Sequence, residues 1–248
     1  MYRAYFYKLF RSPLFYTAFI ATVVLTFYDL FFDAGNGNVY DTIKSLLSIS
    51  SERKLFIVLS ALAFSSNFAD EWNSKIVAEC VTRKKAGSYA KANVVICFFA
   101  AFITIFAGMM VYILIESTQM PLCNPNEVSH PYGELALQGA PFLPPVLVAF
   151  TFAISCAAWT ISGLMLTAFF PSKYIAICTP LVLSYALGRV SKKLLPDELG
   201  LDSMSSSSSD LPPLQAFLLA NSVFIFLALV FGIVFIIKVK RRVENELS

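Results

Sequence analysis

The hydroxyl groups that could act as nucleophiles in this chain lie in or beside apolar segments, without a catalytic base. Ser65, Ser66 and Ser155 are such residues, and none has a base in sequence reach that could activate it. The chain has one histidine, so the zinc-protease pattern H-E-x-x-H is not possible, and the hydrolase pattern G-x-S-x-G is absent. We therefore expect no catalytic residue here, and an intramembrane enzyme is the least favoured class.

The sequence also lacks the ligand patterns of a metal or a nucleotide. Its five cysteines contain no C-x2-C pair. The lone His130 has only the distant Cys123 as a second possible ligand, whereas metal sites need three or four ligands. There is no G-x-x-x-x-G-K-[ST] loop to hold ATP, and no acidic residue falls in the middle of an apolar run, as in ion-coupled carriers. We expect no metal and no cofactor in this chain, and any transport must be driven by another subunit.

Composition places the chain among membrane proteins. Of its 248 residues 57% are hydrophobic and 14% are charged, with a mean hydropathy of +0.69, whereas a soluble domain has about 25% charged residues. Because the apolar residues form runs near the length that crosses a bilayer, we predict one all-α domain over residues 1–248 with six transmembrane helices. The predicted spans are residues 14–32, 53–69, 94–115, 144–170, 174–188 and 214–237.

A charged segment, residues 70–91, separates the second and third predicted spans. Its charged residues are Asp70, Glu71, Lys75, Glu79, Arg83, Lys84, Lys85 and Lys91. A segment this polar is a loop outside the hydrocarbon, and its basic excess favours the cytoplasmic side. Because it has no proline, we predict that it is helical from Asp70 to Lys85.

The first twelve residues have the pattern of an amphipathic helix. Tyr2, Tyr5, Phe6, Leu9 and Phe10 share one face, and Arg3, Tyr7, Lys8 and Arg11 share the other. Such a helix can lie in the membrane interface with Arg3, Lys8 and Arg11 toward lipid phosphates, although the segment could also be only the basic flank of the first span. Pro13 then separates it from that span.

The distribution of positive charge predicts both termini in the cytoplasm. About two thirds of the 19 Lys and Arg residues lie in the segments that this topology places inside. Residues 34–51 are predicted to be a polar connection, and residues 189–213 an outer loop whose leucines could re-enter the membrane. Serines and Asn67 in the second span indicate that it faces protein, and Pro180 is expected to free a carbonyl and kink the fifth span.

These features together resemble the permease subunit of an ABC exporter of the ABC-2 type. In that family an acidic residue ends the second span, and a basic stretch, a Tyr and a Lys lead into the third. Here those positions are Glu71, residues 83–85, Tyr89 and Lys91; Gly87 is also present, whereas the usual proline is not. The likeness covers the whole chain in architecture, and its specific residues lie in 68–91. It is greatest to permeases of bacterial peptide or bacteriocin export and self-protection.

The resemblance implies a function and partners. Such a permease lies in the bacterial cytoplasmic membrane, pairs with a second permease, identical or sister, and contacts a dimer of cytoplasmic ATPases that bind ATP and Mg²⁺. Its substrates are hydrophobic or amphipathic, such as peptides, bacteriocins, lipids or drugs. The ATPase-coupling residues would be Glu71, Trp72, Lys75, Arg83 and Lys84, together with the interfacial helix.

Other interpretations of the same residues stay open. Glu71 could be an ordinary solvated charge, and Trp72 an aromatic anchor in the interface. Because the coupling segment lies outside the hydrocarbon, we expect Glu71→Lys to leave membrane insertion intact. The whole chain could also be a membrane immunity or scaffold subunit that binds a toxic peptide without moving it.

Overall fold

The computed structural model describes residues 2–28, 37–77, 86–124, 131–196, 199–208 and 211–247. These residues form helices and irregular segments, with no strand in the described ranges. In chain order the helices are α1 (Tyr2–Arg11), α2 (Pro13–Tyr28), α3 (Val39–Ser48), α4 (Ser50–Leu62), α5 (Asn67–Asn73), α6 (Ala86–Glu116), α7 (Gly133–Leu137), α8 (Leu143–Thr167), α9 (Lys173–Leu194), α10 (Leu201–Ser205) and α11 (Pro213–Leu247).

Four of the described helices, α6, α8, α9 and α11, are each long and apolar enough to cross a membrane. Helices α1 and α2 together make a fifth candidate, bent by 61° at Ser12. The protein therefore has the helices of a multi-pass membrane protein. The second predicted span is divided into α4 and α5 by a turn at residues 63–66, so neither piece reaches the length of a span by itself.

Helix α8 forms the centre of the bundle. In its most apolar stretch 83% of the residues are buried, and it packs against α6, α9, α11 and α4. Its sequence explains this position, because its many alanines, serines and threonines let neighbouring helices approach on every side, whereas the more apolar α6 and α11 are less buried. The small residues Ala153, Ala157 and Gly163 are all buried and allow close approach of the neighbouring helices.

The polar side chains of the second span face protein, as the sequence predicts. Ser60 and Ser65 are fully buried. The Ser60 hydroxyl lies 2.9 Å from the Thr160 hydroxyl of α8, and the Ser65 hydroxyl donates to the Ala176 carbonyl of α9 at 3.3 Å. These bonds join α4 and the turn after it to two other helices without exposing a polar atom to lipid.

Pro180 lies inside α9, and its effect on the backbone is visible one turn earlier. Proline has no N–H, so the Ala176 carbonyl loses its helical donor. The Ser65 hydroxyl, whose shorter hydrogen bond goes to the Ala61 carbonyl at 2.6 Å, lies 3.3 Å from the Ala176 carbonyl and gives it a weaker, shared contact. Gly163 of α8 faces the same place, where a Cβ would overlap the Ala176 carbonyl and come within 2.8 Å of the Pro180 ring. The crossing of α8 and α9 therefore depends on a glycine.

The prediction of a plain polar connection at residues 34–51 is wrong. Most of it is α3, capped by the Asn38 side chain, which accepts from the Asp41 N–H at 2.8 Å. Tyr40, Ile43 and Leu47 recur at helical spacing and are fully buried in the core. The segment after α6 joins them, since the Tyr40 N–H donates to the Leu122 carbonyl at 3.0 Å.

Three predicted boundaries also need correction. The helix predicted from Asp70 to Lys85 is not continuous, because α5 ends at Asn73 and Lys75 has a left-handed backbone with φ of 61°. The helix that contains the predicted third span begins before it, with α6 starting at Ala86. In the predicted outer loop, α9 continues to Leu194, and the described residues between α9 and α11 include the five-residue helix α10.

The predicted topology has a direct test by cysteine labelling. Ser88 is exposed near the start of α6, and Leu194 is 78% exposed at the opposite end of the bundle. In a cysteine-free background, Leu194→Cys should react with an impermeant maleimide on intact cells, and Ser88→Cys should react only after the membrane is opened. Labelling of Ser88→Cys from outside would overturn the orientation.

Candidate coupling site

Glu71, the acidic residue at the end of the second span, lies at the centre of a buried polar cluster. It is 4% exposed. Its Oε2 accepts from the hydroxyls of Tyr5 at 2.8 Å and Tyr89 at 2.6 Å. Its Oε1 accepts from Lys8 Nζ at 2.7 Å and from the Asn67 amide at 3.1 Å. Four donors therefore hold one carboxylate.

Three helices bring these donors together. Tyr5 and Lys8 are one turn apart on α1, so both side chains reach the same carboxylate. Asn67 lies four residues before Glu71 on α5, and Tyr89 is in the first turn of α6. The buried stripe of α1, Tyr5 and Leu9, seats that helix against the end of the bundle. We name Tyr5, Lys8, Asn67, Glu71 and Tyr89 the Glu71 cluster.

Asn93 closes the cluster on the side of α6. It is fully buried one turn after Tyr89. Its amide lies 3.5 Å from the Tyr5 hydroxyl and 3.3 Å from the Tyr89 carbonyl. Tyr5 and Tyr89 also meet edge to face, with ring centroids 6.3 Å apart. Buried donors and acceptors with partners on every side hold helices in a fixed relation.

A more exposed set of contacts surrounds the cluster and reaches two further helices. Asp70 forms an ion pair of 2.7 Å with Lys173 at the start of α9. The guanidinium of Arg242, from α11, lies 4.3 Å from the centre of the Trp72 ring and also donates to the Ala168 carbonyl at 3.3 Å. The end of the second span is therefore joined to α1, α6, α9 and α11.

The structure describes three of the five predicted coupling residues, and these three differ in their exposure. Glu71 is buried, so in this conformation its side chain cannot touch a second protein, and it is not the solvated charge that one interpretation expected. Trp72 is half-buried between Phe68 and Arg242, whereas Lys75 is exposed in the turn after α5. Arg83 and Lys84 lie outside the described residues.

The predicted amphipathic α1 is confirmed as a helix, with its two faces in different surroundings. Tyr5 and Leu9 are buried, while Arg3 and Arg11 are exposed, and Arg11 lies 5.1 Å from the centre of the Tyr7 ring. Lys8 differs from the expectation, because its ammonium group is bound to Glu71 while half of its side chain stays exposed. Of the three cations predicted for the interfacial face, Arg3 and Arg11 are therefore the exposed ones that Glu71 does not hold.

Sequence reasoning missed the roles of Tyr5 and Asn93, and it predicted that Asn67 faces protein without identifying Glu71 as its partner. Tyr89 was singled out by the family pattern, but its partner was not. The only signal for Tyr5 was its place on the apolar face of α1, and for Asn93 its place beside an apolar run. A polar side chain at the edge of such a run indicates a buried hydrogen bond without naming the partner.

The cluster has the chemistry of a structural joint. Each carboxylate oxygen of Glu71 already accepts two hydrogen bonds, so the group is poorly placed to abstract a proton or to bind a metal. Within the described ranges, no three residues among His, Cys, Asp and Glu converge as a metal site would require. What the cluster can do is transmit a displacement of α1 or α5 to α6.

Comparison with known protein families, with curated proteins and with solved structures finds no match to this chain. Its function is therefore argued from the residues and their geometry.

Proposed function

We propose that this chain is the permease subunit of an ATP-driven ABC exporter of the ABC-2 type in the bacterial cytoplasmic membrane. It would pair with a second permease, form the six-helix pathway for a hydrophobic or amphipathic substrate, and use a separate ATPase dimer as its source of energy. In this assignment α1 is the interfacial helix, and α4 with α5 is the second span, which brings the number of spans to six.

The observation that carries the proposal is the Glu71 cluster. A permease moved by a soluble motor needs a stiff connection between the surface that the motor pushes and the helices that move. The turn after α5, which contains the exposed Lys75, follows Glu71 directly. Through Glu71 that turn is bonded to α1 and α6, and through Asp70 and Trp72 to α9 and α11. A push on the turn would therefore reach most of the bundle.

The composition of the chain supports the same proposal. It has no phosphate-binding loop and no acidic residue placed as in ion-coupled carriers, so the energy for transport must come from a partner. The N-terminal and C-terminal helices both contribute basic side chains, Lys8 and Arg242, at the end where the partner would bind. An amphipathic α1 beside that surface would lie between the membrane and the ATPase.

We expect Lys75→Glu to weaken association with the ATPase by about thirtyfold, the effect of removing a central interface contact worth about 2 kcal/mol. Lys75 is the sharper probe because it is exposed in a turn, so its reversal leaves the packing intact. Trp72→Ala should weaken association as well, but it also removes the contact with Phe68. The measurement is the amount of ATPase that co-purifies with the tagged permease from native membranes, normalised to permease.

Lys44→Glu is the matched control. Lys44 lies on α3, away from the Glu71 cluster, and its substitution makes the same change of charge as Lys75→Glu. It should leave ATPase recovery unchanged. The proposal fails if no P-loop ATPase co-purifies with the unaltered chain, which would favour the immunity or scaffold subunit. If an ATPase binds but Lys75→Glu and Trp72→Ala bind it normally, the contact surface is elsewhere.

A further inference from the structure

A strongly basic cavity lies at the end of the bundle opposite the Glu71 cluster. Its volume is about 510 Å³. The start of α4 supplies Arg53 and Lys54, and the end of α9 supplies Arg189, Lys192 and Lys193. Among the lining residues that the structure describes, Asp202 is the one acidic side chain. Asp197 and Glu198, which follow α9 in the sequence, lie outside the described residues.

Asp202 organises one wall of this cavity. Its carboxylate pairs with Arg53 at 3.0 Å and with Lys192 at 3.5 Å, and its carbonyl accepts from Arg53 at 3.1 Å. Arg53 is 8% exposed, so this cation is held in place. Gly188 lets α9 approach closely, because a Cβ there would come within 2.9 Å of the Asp202 carboxylate. The wall is therefore built before any ligand arrives.

The remaining cations have no such neutralising partner in the described part of the chain. Lys54 Nζ lies 4.7 Å and the Arg189 guanidinium 4.9 Å from the centre of the same Tyr185 ring. Two cations held against one ring repel each other, and an anion between them would relieve that repulsion. The hydroxyl residues Ser155, Ser184 and Ser205 also line the cavity, but each already donates to a backbone carbonyl of its own helix, so recognition of an oxyanion would rest on the cations.

An apolar groove begins where this cavity ends. It runs between α9 and α11 and shares Leu201 with the basic cavity. Leu187, Val190, Val223 and Phe226 line it, and almost all of its accessible lining is apolar. Val190 and Phe226 are 49% and 65% exposed on the outside of the bundle. A basic cavity that continues into an outward-facing apolar groove matches a molecule with an anionic head and a hydrocarbon tail.

We propose that this end of the bundle binds an anionic phospholipid, with its phosphate headgroup in the basic cavity and an acyl chain along the groove. Arginine and lysine side chains recognise the phosphate, arginine by paired hydrogen bonds and lysine as a point charge. The proposal goes beyond the transport function and does not depend on it, because none of the residues that line the cavity belongs to the Glu71 cluster or to the turn after α5.

The test is a titration of the purified full chain in a non-ionic detergent, followed by native mass spectrometry. The ligands are dioctanoyl phosphatidylglycerol, dioctanoyl phosphatidylcholine, glycerol phosphate and inorganic phosphate. We expect phosphatidylglycerol to bind at least about tenfold more tightly than the zwitterionic lipid and the two soluble phosphates. The double variant Arg189→Gln, Lys193→Gln should weaken that binding about tenfold or more, because both side chains are exposed cations that Asp202 does not hold.

Two controls make the result specific. The double variant Lys240→Gln, Arg241→Gln removes the same charge from the far end of α11 and should leave binding unchanged. Phe226→Ala removes an aromatic ring from the lining of the groove. It should weaken binding of the lipid about threefold or more, since less of the acyl chain is covered. Equal binding of inorganic phosphate and lipid would assign the cavity to a soluble anion and overturn the lipid. Unchanged lipid binding in the Arg189, Lys193 double variant would overturn the site itself.

Discussion

Replacing Glu71 with Ala is expected to lower the free energy of unfolding by about 2–4 kcal/mol, because it leaves buried hydrogen-bond donors without an acceptor. The Tyr5 and Tyr89 hydroxyls both donate to Glu71 Oε2, and the Asn67 amide donates to Oε1. Lys8 loses less, since half of its side chain is exposed and water can replace the carboxylate. Glu71→Lys should be more severe, because it places a second ammonium group beside Lys8.

The neighbouring acid supplies a matched control. Asp70 is one residue away, but its side chain is 43% exposed and its partner Lys173 is 61% exposed. An exposed ion pair contributes about 0–1 kcal/mol, so Asp70→Ala should change stability little. The measurement is the apparent melting temperature of each variant in detergent, followed by the loss of the monodisperse peak in size-exclusion chromatography.

The expected order of melting temperatures is unaltered chain and Asp70→Ala highest, Glu71→Ala lower, and Glu71→Lys lowest or not recovered. The melting temperature of Tyr5→Phe should lie between those of Asp70→Ala and Glu71→Ala. Its loss of stability is about 1 kcal/mol, since it removes one donor and leaves the carboxylate three others. Equal stability of Asp70→Ala and Glu71→Ala would contradict the buried cluster. The sequence-based expectation that Glu71→Lys leaves membrane insertion intact rested on the position of Glu71 outside the hydrocarbon. The burial of Glu71 among protein atoms adds a cost in stability that this position does not indicate.

For Glu71 the sequence predicts the position of the charge along the chain but not the partners of its side chain. A charge at the end of an apolar run marks the boundary of a span, and this much follows from hydropathy. Whether that charge faces water or protein depends on residues 66 and 18 positions away, Tyr5 and Tyr89. Periodicity places Tyr5 on the inner face of α1, but no local pattern says which helix that face meets.

The missed helix α3 is a different kind of error. Its signals were present in the sequence: Asn38 at the cap position and Tyr40, Ile43 and Leu47 at helical spacing. Its polar residues lower the mean hydropathy of the segment, and its ten residues are too few to cross a membrane, so hydropathy alone favours a loop there. The break at Lys75 had no such signal, since a lysine with positive φ is rare and only the surrounding contacts can favour it.

The crossing of α8 and α9 gives the other large expected effect. Gly163→Ala should cost about 1–3 kcal/mol, the usual range for an extra carbon in a packed interior. The added Cβ would overlap the Ala176 carbonyl and the Pro180 ring. A proline ring cannot turn aside as a flexible side chain can, so α8 and α9 must move apart. That movement would also lengthen the hydrogen bond from Ser65 to Ala176, now 3.3 Å.

Gly87→Ala is the control for this substitution. Gly87 is in the first turn of α6, where a Cβ would meet nothing within 4 Å. Alanine is a better helix former than glycine by up to about 1 kcal/mol, so this variant should be as stable as the unaltered chain or slightly more stable. The same glycine-to-alanine change is thus expected to have opposite signs at two positions in one protein.

The measurement is the melting temperatures of Gly163→Ala and Gly87→Ala, determined side by side in the same detergent. Ser65→Ala adds a check on the cause: it removes the hydroxyl that donates to the Ala61 carbonyl at 2.6 Å and contacts the Ala176 carbonyl at 3.3 Å, and should cost about 1 kcal/mol by itself. The double variant Gly163→Ala, Ser65→Ala should lose less stability than the sum of the losses of the two single variants, because in Gly163→Ala the separated helices have already weakened that contact. Full additivity would mean that Gly163 and Ser65 act independently, and a stable Gly163→Ala protein would show that α8 and α9 do not cross as closely as described.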